Sequence, residues 1–171
     1  MSDKIHQFPG HSLSEEEIED HEVLSIFDQL HGEYRWDTGI AIGTYLAGLK
    51  QGVLLGAHCT HCHKTIIPPR LVCEWCYRPI DSYVPLKDTG KVNTFSLCYV
   101  TWDVQRVTQP EIPAVIEIDG ASLLHGIMHK LGEVDPKDVT IGMHVQAVWK
   151  PAEERTGAIT DILYFKPKEG D

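Results

Sequence analysis

Residues 59–76 read CTHCHKTIIPPRLVCEWC, and this stretch carries two Cys-x-x-Cys pairs with ten residues between them. In such a pair, one tight turn brings two thiolates to the same ion while backbone N–H groups hydrogen-bond to the sulfurs. The ten intervening residues are enough for an antiparallel excursion that returns the second pair to the first. We therefore predict a small zinc ribbon whose ion is held by Cys59, Cys62, Cys73 and Cys76.

The predicted ion is structural rather than catalytic. Four thiolates close the coordination shell, whereas catalytic zinc keeps one position open for water or substrate. Three histidines, His58, His61 and His63, are close in sequence to the first cysteine pair. A histidine ligand would leave one of the four thiols idle, so we interpret these side chains as surface imidazoles.

The composition is that of an ordinary globular protein, with 171 residues of which 42% are hydrophobic and 23% are charged. The formal net charge of −10 disfavours a nucleic-acid partner, because binding to phosphates needs clustered lysine and arginine. No apolar run approaches the roughly 20 residues of a membrane span, and the N-terminus lacks the pattern of a signal peptide. Without a secretion signal, paired cysteines favour metal binding over disulfides. We therefore predict a cytoplasmic protein with no membrane partner.

Two helices are predicted before the ribbon. Residues 1–36 form an acidic extension, whose helix begins at the capping-box sequence Ser14-Glu15-Glu16-Glu17, runs to about residue 30 and is ended by Gly32. Residues 37–52 form a second helix with one apolar face, and residues 53–80 form the ribbon. The apolar positions of the first helix recur at near-helical spacing and must cover either this domain or a partner: Ile18, Val23, Leu24, Phe27 and Leu30.

The remaining residues, 81–171, change to short β-type runs separated by turn signals such as Asp119-Gly120. Short strands at regular spacing are typical of a small closed barrel or sandwich. A helical turn is predicted over residues 135–139. The predicted strands are residues 83–86, 91–100, 114–118, 122–131, 145–149 and 157–165.

A few other residues have ionisable or reactive side chains. Cys98 lies in an apolar run with no nucleophile turn, so we predict that it belongs to the core. His125 and His129 share strand parity and are expected to point to one face, as satisfied or surface histidines. Asp103 and Arg106 are predicted to lie in a loop, either solvated or in contact with a partner. No phosphate loop, metalloprotease helix or nucleophile elbow is present, so we predict no catalytic residues.

The order of motifs along residues 39–166 resembles a known family. It resembles the acyl-CoA-associated zinc-ribbon and OB-fold family, long catalogued as a domain of unknown function. The sequence departs from the usual family pattern at Glu74-Trp75, where a proline-containing turn is common, and in its acidic extension. The motifs that carry the resemblance are KQG at 50–52, IPPR at 67–70, LKDTGKV at 86–92, IPAVIEIDG at 112–120, VDPKDV at 134–139 and IGMHV at 141–145, together with both cysteine pairs.

This resemblance implies a mainly β protein in which a rubredoxin-like zinc ribbon is followed by a five-stranded OB-fold barrel, with helices at the N-terminus. The family's zinc ligands correspond to the four cysteines named above. It also implies a non-catalytic accessory subunit of a hetero-oligomer. We expect a thiolase-type catalytic partner, of the acetoacetyl-CoA or benzoylsuccinyl-CoA type, with acyl-CoA at or near the interface.

Two other functions are weighed against this one. A single-stranded nucleic-acid-binding OB-fold protein needs aromatic residues interleaved with basic ones, and that pattern is weak here. An independent acyl-CoA hydrolase needs a nucleophile or an activated water, which the sequence does not supply. The accessory subunit is therefore the leading hypothesis.

Overall fold

A computed structural model describes residues 14–20, 31–101 and 103–168. The chain divides into two units, Met1–Trp36 and Asp37–Asp171. In the first unit, helix α1 spans Glu15–Glu19. Ser14 Oγ accepts a hydrogen bond from the Glu17 N–H at 3.2 Å, and Glu17 Oε2 accepts one from the Ser14 N–H at 2.8 Å, which confirms the predicted capping box.

The rest of the predicted first helix lies outside the described residues. This applies to its course over residues 21–30, which carries most of the apolar stripe: Val23, Leu24, Phe27 and Leu30. Residues 31–38 have no regular secondary structure.

Helix α2 spans Gly39–Gln51, in agreement with the prediction. Gly52 ends it with a φ of 77°, a left-handed conformation that glycine adopts without steric cost, and its N–H donates to the Gly48 and Leu49 carbonyls. Tyr45 and Leu49 are buried in the same hydrophobic cluster as the barrel strands. Helix α2 therefore belongs to the barrel core.

Strands dominate the described part of the chain after α2, which confirms a mainly β protein. They form a three-stranded sheet, a five-stranded sheet and a two-stranded sheet. Single 3₁₀ turns occupy Ala152–Glu154 and Ile159–Asp161. The strands are β1 Leu54–Cys59, β2 Lys64–Ile66, β3 Ser82–Leu86, β4 Thr89–Phe95, β5 Cys98–Val100, β6 Arg106–Glu111, β7 Pro113–Ile118, β8 Gly126–Lys130, β9 His144–Trp149 and β10 Ile162–Pro167.

The three-stranded sheet has the order β2-β1-β3 and is antiparallel throughout. Strand β3, which the sequence placed at the start of the barrel, pairs with β1 from Leu54 opposite Leu86 to His58 opposite Ser82. This strand therefore joins the ribbon sheet directly to β4 of the barrel.

The five-stranded sheet has the order β10-β9-β4-β7-β8, with antiparallel pairing between neighbours. A parallel bridge between Leu131 and Phe165 brings the two outer strands together, and the Gly132 N–H donates to the Phe165 carbonyl at 2.9 Å. Closure of five strands in this order is the arrangement of an OB barrel, so the predicted fold is confirmed.

Two separate hydrophobic clusters stabilise the barrel and the ribbon. Residues Ala114, Ile116 and Ile118 alternate towards the barrel interior along β7, where they meet buried side chains such as Phe165. The ribbon cluster is much smaller, and two of its members are metal-ligand candidates: Ala57, Cys59, Ile66, Cys73 and Ile80. The barrel thus has a core of its own, while the ribbon has very little.

The predicted strand over residues 91–100 is wrong as a single element. The chain leaves the barrel after Phe95, and β5 pairs with β6 as an exposed two-stranded ribbon. Hydrophobic periodicity continues across the bend at residues 96–97, so it cannot separate two strands from one. Arg106 begins β6 rather than lying in a loop, whereas Asp103 lies in the connecting turn.

Two further strands are shorter than predicted. The run over residues 122–131 forms a strand only from Gly126, because residues 123 and 124 make a turn in which Leu124 has a φ of 64°. The run over residues 157–165 becomes β10 only at Ile162. A hydrogen-bonded turn does occupy residues 136–138, within the predicted helical turn. No helix within the described ranges is long and apolar enough to cross a membrane.

Candidate metal centre

The sheet and one short hairpin position the four cysteines. Cys59 is the last residue of β1, and Cys62 follows in the turn that leads to β2. Cys73 and Cys76 lie in a hairpin held by a bridge between Val72 and Pro79. Cys59 and Cys73 are buried, and the other two are half-buried, so the sulfurs face inward from both hairpins.

The two Cys-x-x-Cys turns have the same backbone geometry. In the first, the His63 N–H donates to the Cys59 carbonyl at 2.8 Å, and in the second the Tyr77 N–H donates to the Cys73 carbonyl at 2.8 Å. The residue after each pair is left-handed, with a φ of 54° at His63 and 57° at Tyr77. This repetition indicates that both turns are shaped for the same ligand geometry.

The four sulfur atoms lie within 4.8 Å of one another. With a Zn–S distance of 2.3 Å, a tetrahedral ion requires sulfurs about 3.8 Å apart. The Cys59 and Cys76 sulfurs are 3.7 Å apart, close to that value. The donor set and its spacing therefore fit one zinc ion, in agreement with the predicted cofactor.

The electrostatics of the cluster also favour a cation. The Cys62 N–H donates to Cys59 Sγ at 3.4 Å, and this backbone hydrogen bond lowers the pKa of Cys59 to about 7. Contact with the Cys76 sulfur raises the pKa of Cys62 to about 12, because a second thiolate beside the first is unfavourable. Four thiolates can coexist here only with a positive charge between them.

The three nearby histidines are not part of this sulfur cluster. His58 Nδ1 is 3.0 Å from Thr65 Oγ1, and His61 Nδ1 is 3.7 Å from Cys62 Sγ. Within the described ranges, the only cluster of potential metal ligands is the four cysteines. The histidines therefore stay assigned to the surface of the ribbon.

The expectation that His125 and His129 share a face agrees with the register of β7 and β8, in which Ala114 lies opposite His129 and the Ile118 N–H donates to the His125 carbonyl. His125 follows the turn before β8, where its Nε2 is 3.2 Å from Glu74 Oε1 and its ring contacts Trp75 at 5.1 Å. His129 lies within β8, with Nε2 3.3 Å from the Ile159 carbonyl and its ring against Phe165. The two histidines therefore keep the parity of the buried Ile127 but contact different groups.

Cys98 is not in the core, where the sequence placed it. It is the first residue of β5 in the exposed two-stranded sheet β5–β6, is half-buried, and lies outside both hydrophobic clusters. The apolar run that contains it leaves the barrel, so its hydrophobicity does not indicate burial.

A groove on the barrel escaped the sequence analysis. It has a volume of about 400 Å³ and lies where β8 and β10 diverge beyond the Leu131–Phe165 bridge. Two lysines and several apolar side chains line it, among them Met128, Lys130, Lys150, Ile159 and Leu163. The two sides of the groove are about thirty residues apart in sequence, and no local pattern connects them.

Comparisons with known sequences find matches for both the zinc ribbon and the barrel. Residues 46–80 match the family model of the ChsH2 rubredoxin-like zinc ribbon domain, and residues 83–150 match that of the ChsH2 C-terminal OB-fold domain. A DUF35 domain-containing scaffold protein from Methanocaldococcus jannaschii is 32% identical over 119 residues, which cover 68% of this chain and 82% of that protein.

Two solved structures have the same fold. A DUF35-family protein from Sulfolobus solfataricus superposes with a TM-score of 0.61 at 23% identity, covering 77% of this chain and 87% of the other. A chain of the Ltp2–ChsH2(DUF35) aldolase superposes with a TM-score of 0.57 at 20% identity, covering 78% and 98%. At these identities the likeness concerns the fold alone.

Proposed function

Because the chain belongs to the DUF35 family of zinc-ribbon and OB-fold proteins, we propose that it is a non-catalytic accessory subunit of a cytoplasmic acyl-CoA-processing complex. The observation that carries the proposal is its 32% identity to a scaffold protein across 82% of that protein's length. The structural neighbour from the Ltp2–ChsH2(DUF35) aldolase adds support, since that chain is named together with a catalytic protein. We propose a thiolase-type catalytic subunit as the partner here.

The distribution of cysteines supports leaving the chemistry to the partner. A thiolase needs a cysteine nucleophile, a base that activates it and a second acid–base group. We assign Cys59, Cys62, Cys73 and Cys76 to zinc, where their thiolates serve as ligands. In the described ranges, the fifth cysteine, Cys98, has no side-chain hydrogen-bond partner that could activate it.

The groove between β8 and β10 is our candidate for this chain's share of the coenzyme A entrance. Its apolar wall, which includes Met128 and Leu163, suits the pantetheine arm of a thioester. Lys130 supplies positive charge for phosphates at the same groove, together with Lys150, whose Nζ is also 4.0 Å from Asp161 Oδ1. A barrel that presents this groove beside a partner's active site would help to orient the substrate.

We expect this chain alone to neither form nor cleave a carbon–carbon bond in any acyl-CoA. The purified partner alone should turn over at least about tenfold more slowly than the mixture, because the accessory subunit completes its substrate entrance. The measurement is thiolysis of an acyl-CoA by each protein and by the mixture, after co-purification and mass identification of the partner. Equal rates for partner and mixture would reject the accessory role, and turnover by this chain alone would reject its non-catalytic nature.

We expect Met128→Asp to raise the KM of the mixed enzyme for its acyl-CoA about tenfold, because a carboxylate in the groove repels the phosphates and disrupts the apolar wall. Met128 is 72% exposed, so the substitution should not affect folding. The matched control is Ile141→Asp, at a residue that is 71% exposed and does not line the groove. An equal KM for the two variants would show that the groove is not part of the coenzyme A entrance.

A further inference from the structure

Among the described residues, three apolar side chains are exposed on left-handed backbone; Val104 lies on the β5–β6 connection, and the other two are Tyr77 and Leu124. Tyr77 has a φ of 57° and is 80% exposed, and Leu124 has a φ of 64° and is 73% exposed. Left-handed backbone is unfavourable for residues with a Cβ, and glycine or asparagine is the usual occupant. With so little of either side chain packed, contacts within this chain do not offset that cost. Backbone strain of this kind tends to occur at functional surfaces.

The local structure explains why the backbone has this form at both sites. Tyr77 occupies the position after the second Cys-x-x-Cys pair, where the first pair has His63 in the same conformation. Leu124 is the third residue of a four-residue turn closed by a hydrogen bond from the His125 N–H to the Ser122 carbonyl at 3.0 Å. A type II turn places glycine or asparagine at that position. The fold therefore explains the left-handed backbone at both sites, but it does not explain why the side chains there are apolar.

Several contacts fix the two sites relative to each other. Ser122 donates its N–H to the Thr65 carbonyl and accepts the Thr65 N–H at its Oγ, both at 2.9 Å. His125 pairs with Glu74 and packs against Trp75, as described above. Trp75 and Leu123 are exposed beside them. We refer to Trp75, Tyr77, Leu123 and Leu124 as the junction patch, an apolar surface whose two loops are joined by these contacts.

The ribbon segment that carries Trp75 and Tyr77 has a net charge opposite to that of the whole chain. Residues 53–80 contain three basic side chains, Lys64, Arg70 and Arg78, and a single acidic one, Glu74, in a chain with 15 basic and 25 acidic residues. Glu74 is already engaged by Arg70 at 3.1 Å and by His125. Lys64 Nζ lies 5.8 Å from the centre of the Trp75 ring. Lys64 and Arg70 thus lie beside the Trp75 side of the apolar surface.

We propose that the junction patch is the docking surface for the catalytic partner subunit, which meets it with an apolar depression bordered by carboxylates. The identity of this partner rests on the proposed function, whereas the surface itself rests on the exposed residues and their charges. A protein fits better than a nucleic acid, because two of the four patch residues are leucines, which provide no stacking platform, and the chain's net charge of −10 repels phosphates. Apolar anchors with a charged rim are typical of protein interfaces.

The first test is photo-crosslinking of the full chain in its native host. Tyr77→p-benzoylphenylalanine should give one defined protein adduct, identified by mass spectrometry as the acyl-CoA-processing subunit. The matched control is Val104→p-benzoylphenylalanine, because Val104 is 79% exposed with a φ of 64° but lies on the β5–β6 connection. We expect no adduct at Val104.

The second test measures affinity with the purified partner. Leu124→Asn should weaken binding at least about tenfold without lowering the melting temperature, because asparagine suits the left-handed backbone but removes the apolar anchor. Val104→Asn, the same kind of change elsewhere, should leave affinity within about twofold. A merely structural role for Leu124 would show instead as a lower melting temperature.

Each outcome separates the docking surface from the proposed function. A Tyr77 adduct with a protein of another class would overturn the proposed function and retain the surface. A co-purifying acyl-CoA enzyme with no Tyr77 adduct and unchanged affinity for Leu124→Asn would overturn the surface and retain the function. An adduct with nucleic acid would overturn protein docking at this patch. Absence of both adduct and co-purifying partner would overturn both.

Discussion

Replacing Cys73 with serine is expected to release the zinc ion and to unfold the ribbon over residues 53–80. Structural zinc contributes on the order of 10 to 16 kcal/mol of apparent binding free energy in small domains, and here it acts on a cluster of only five buried residues. Two of those five are the thiols Cys59 and Cys73, so the ribbon loses core and metal together. The zinc content, measured by elemental analysis after dialysis against a chelator, should fall from about one ion per chain to near zero.

The barrel should survive this change in part, because its hydrophobic cluster is separate from that of the ribbon. Amide hydrogen exchange should show loss of protection in β1 and β2, and also in β3, which pairs with β1. The control is Cys98→Ser, since Cys98 is the one cysteine outside the sulfur cluster. Retained zinc in the Cys73→Ser protein would refute the assignment of four thiolate ligands.

We expect Asp161→Ala to lower the free energy of unfolding by about 3 kcal/mol, because it leaves three part-buried N–H donors without an acceptor. The fully buried Asp161 carboxylate accepts the N–H groups of Thr156, Gly157 and Ala158 at 3.1, 2.6 and 3.1 Å. These bonds hold the loop between β9 and β10 in place. Urea unfolding monitored by tryptophan fluorescence measures the change, and Glu153→Ala, at an exposed residue of the same loop, should stay within about 0.5 kcal/mol of the parent.

The effect of this substitution should depend on pH. Burial opposes ionisation of Asp161, but the three N–H donors and Lys150 outweigh it and hold the pKa of this carboxyl below its ordinary value. A lowered folded-state pKa contributes stability that is fully present above the unfolded value of about 3.9 and is lost as pH falls through the folded-state pKa. The difference between the parent and Asp161→Ala should therefore be constant near neutral pH and shrink below about pH 4. A difference that grows on acidification would contradict this account.

The sequence predicted those features that depend on local chemistry. Two Cys-x-x-Cys pairs at a workable separation indicate a zinc ribbon wherever they occur, because each turn is set by its own few residues. The same is true of the capping box at Ser14 and of the glycine that ends α2 at Gly52, whose conformations depend on neighbouring backbone groups. Strand number and order within the barrel came from the resemblance to a family, since alternation alone left a barrel and a sandwich equally open.

Only the tertiary structure decided which distant segments meet. Pairing of β3 with β1 and the contact of His125 with Glu74 join residues far apart in sequence, and β5 leaves the barrel to pair with its neighbour β6. The groove beside Met128 and the junction patch arise in the same way, from loops brought together by barrel closure and by the ribbon. Local residue propensities do not predict such pairings, because the free energy of pairing comes from burial and hydrogen bonds that exist only once the chain has folded.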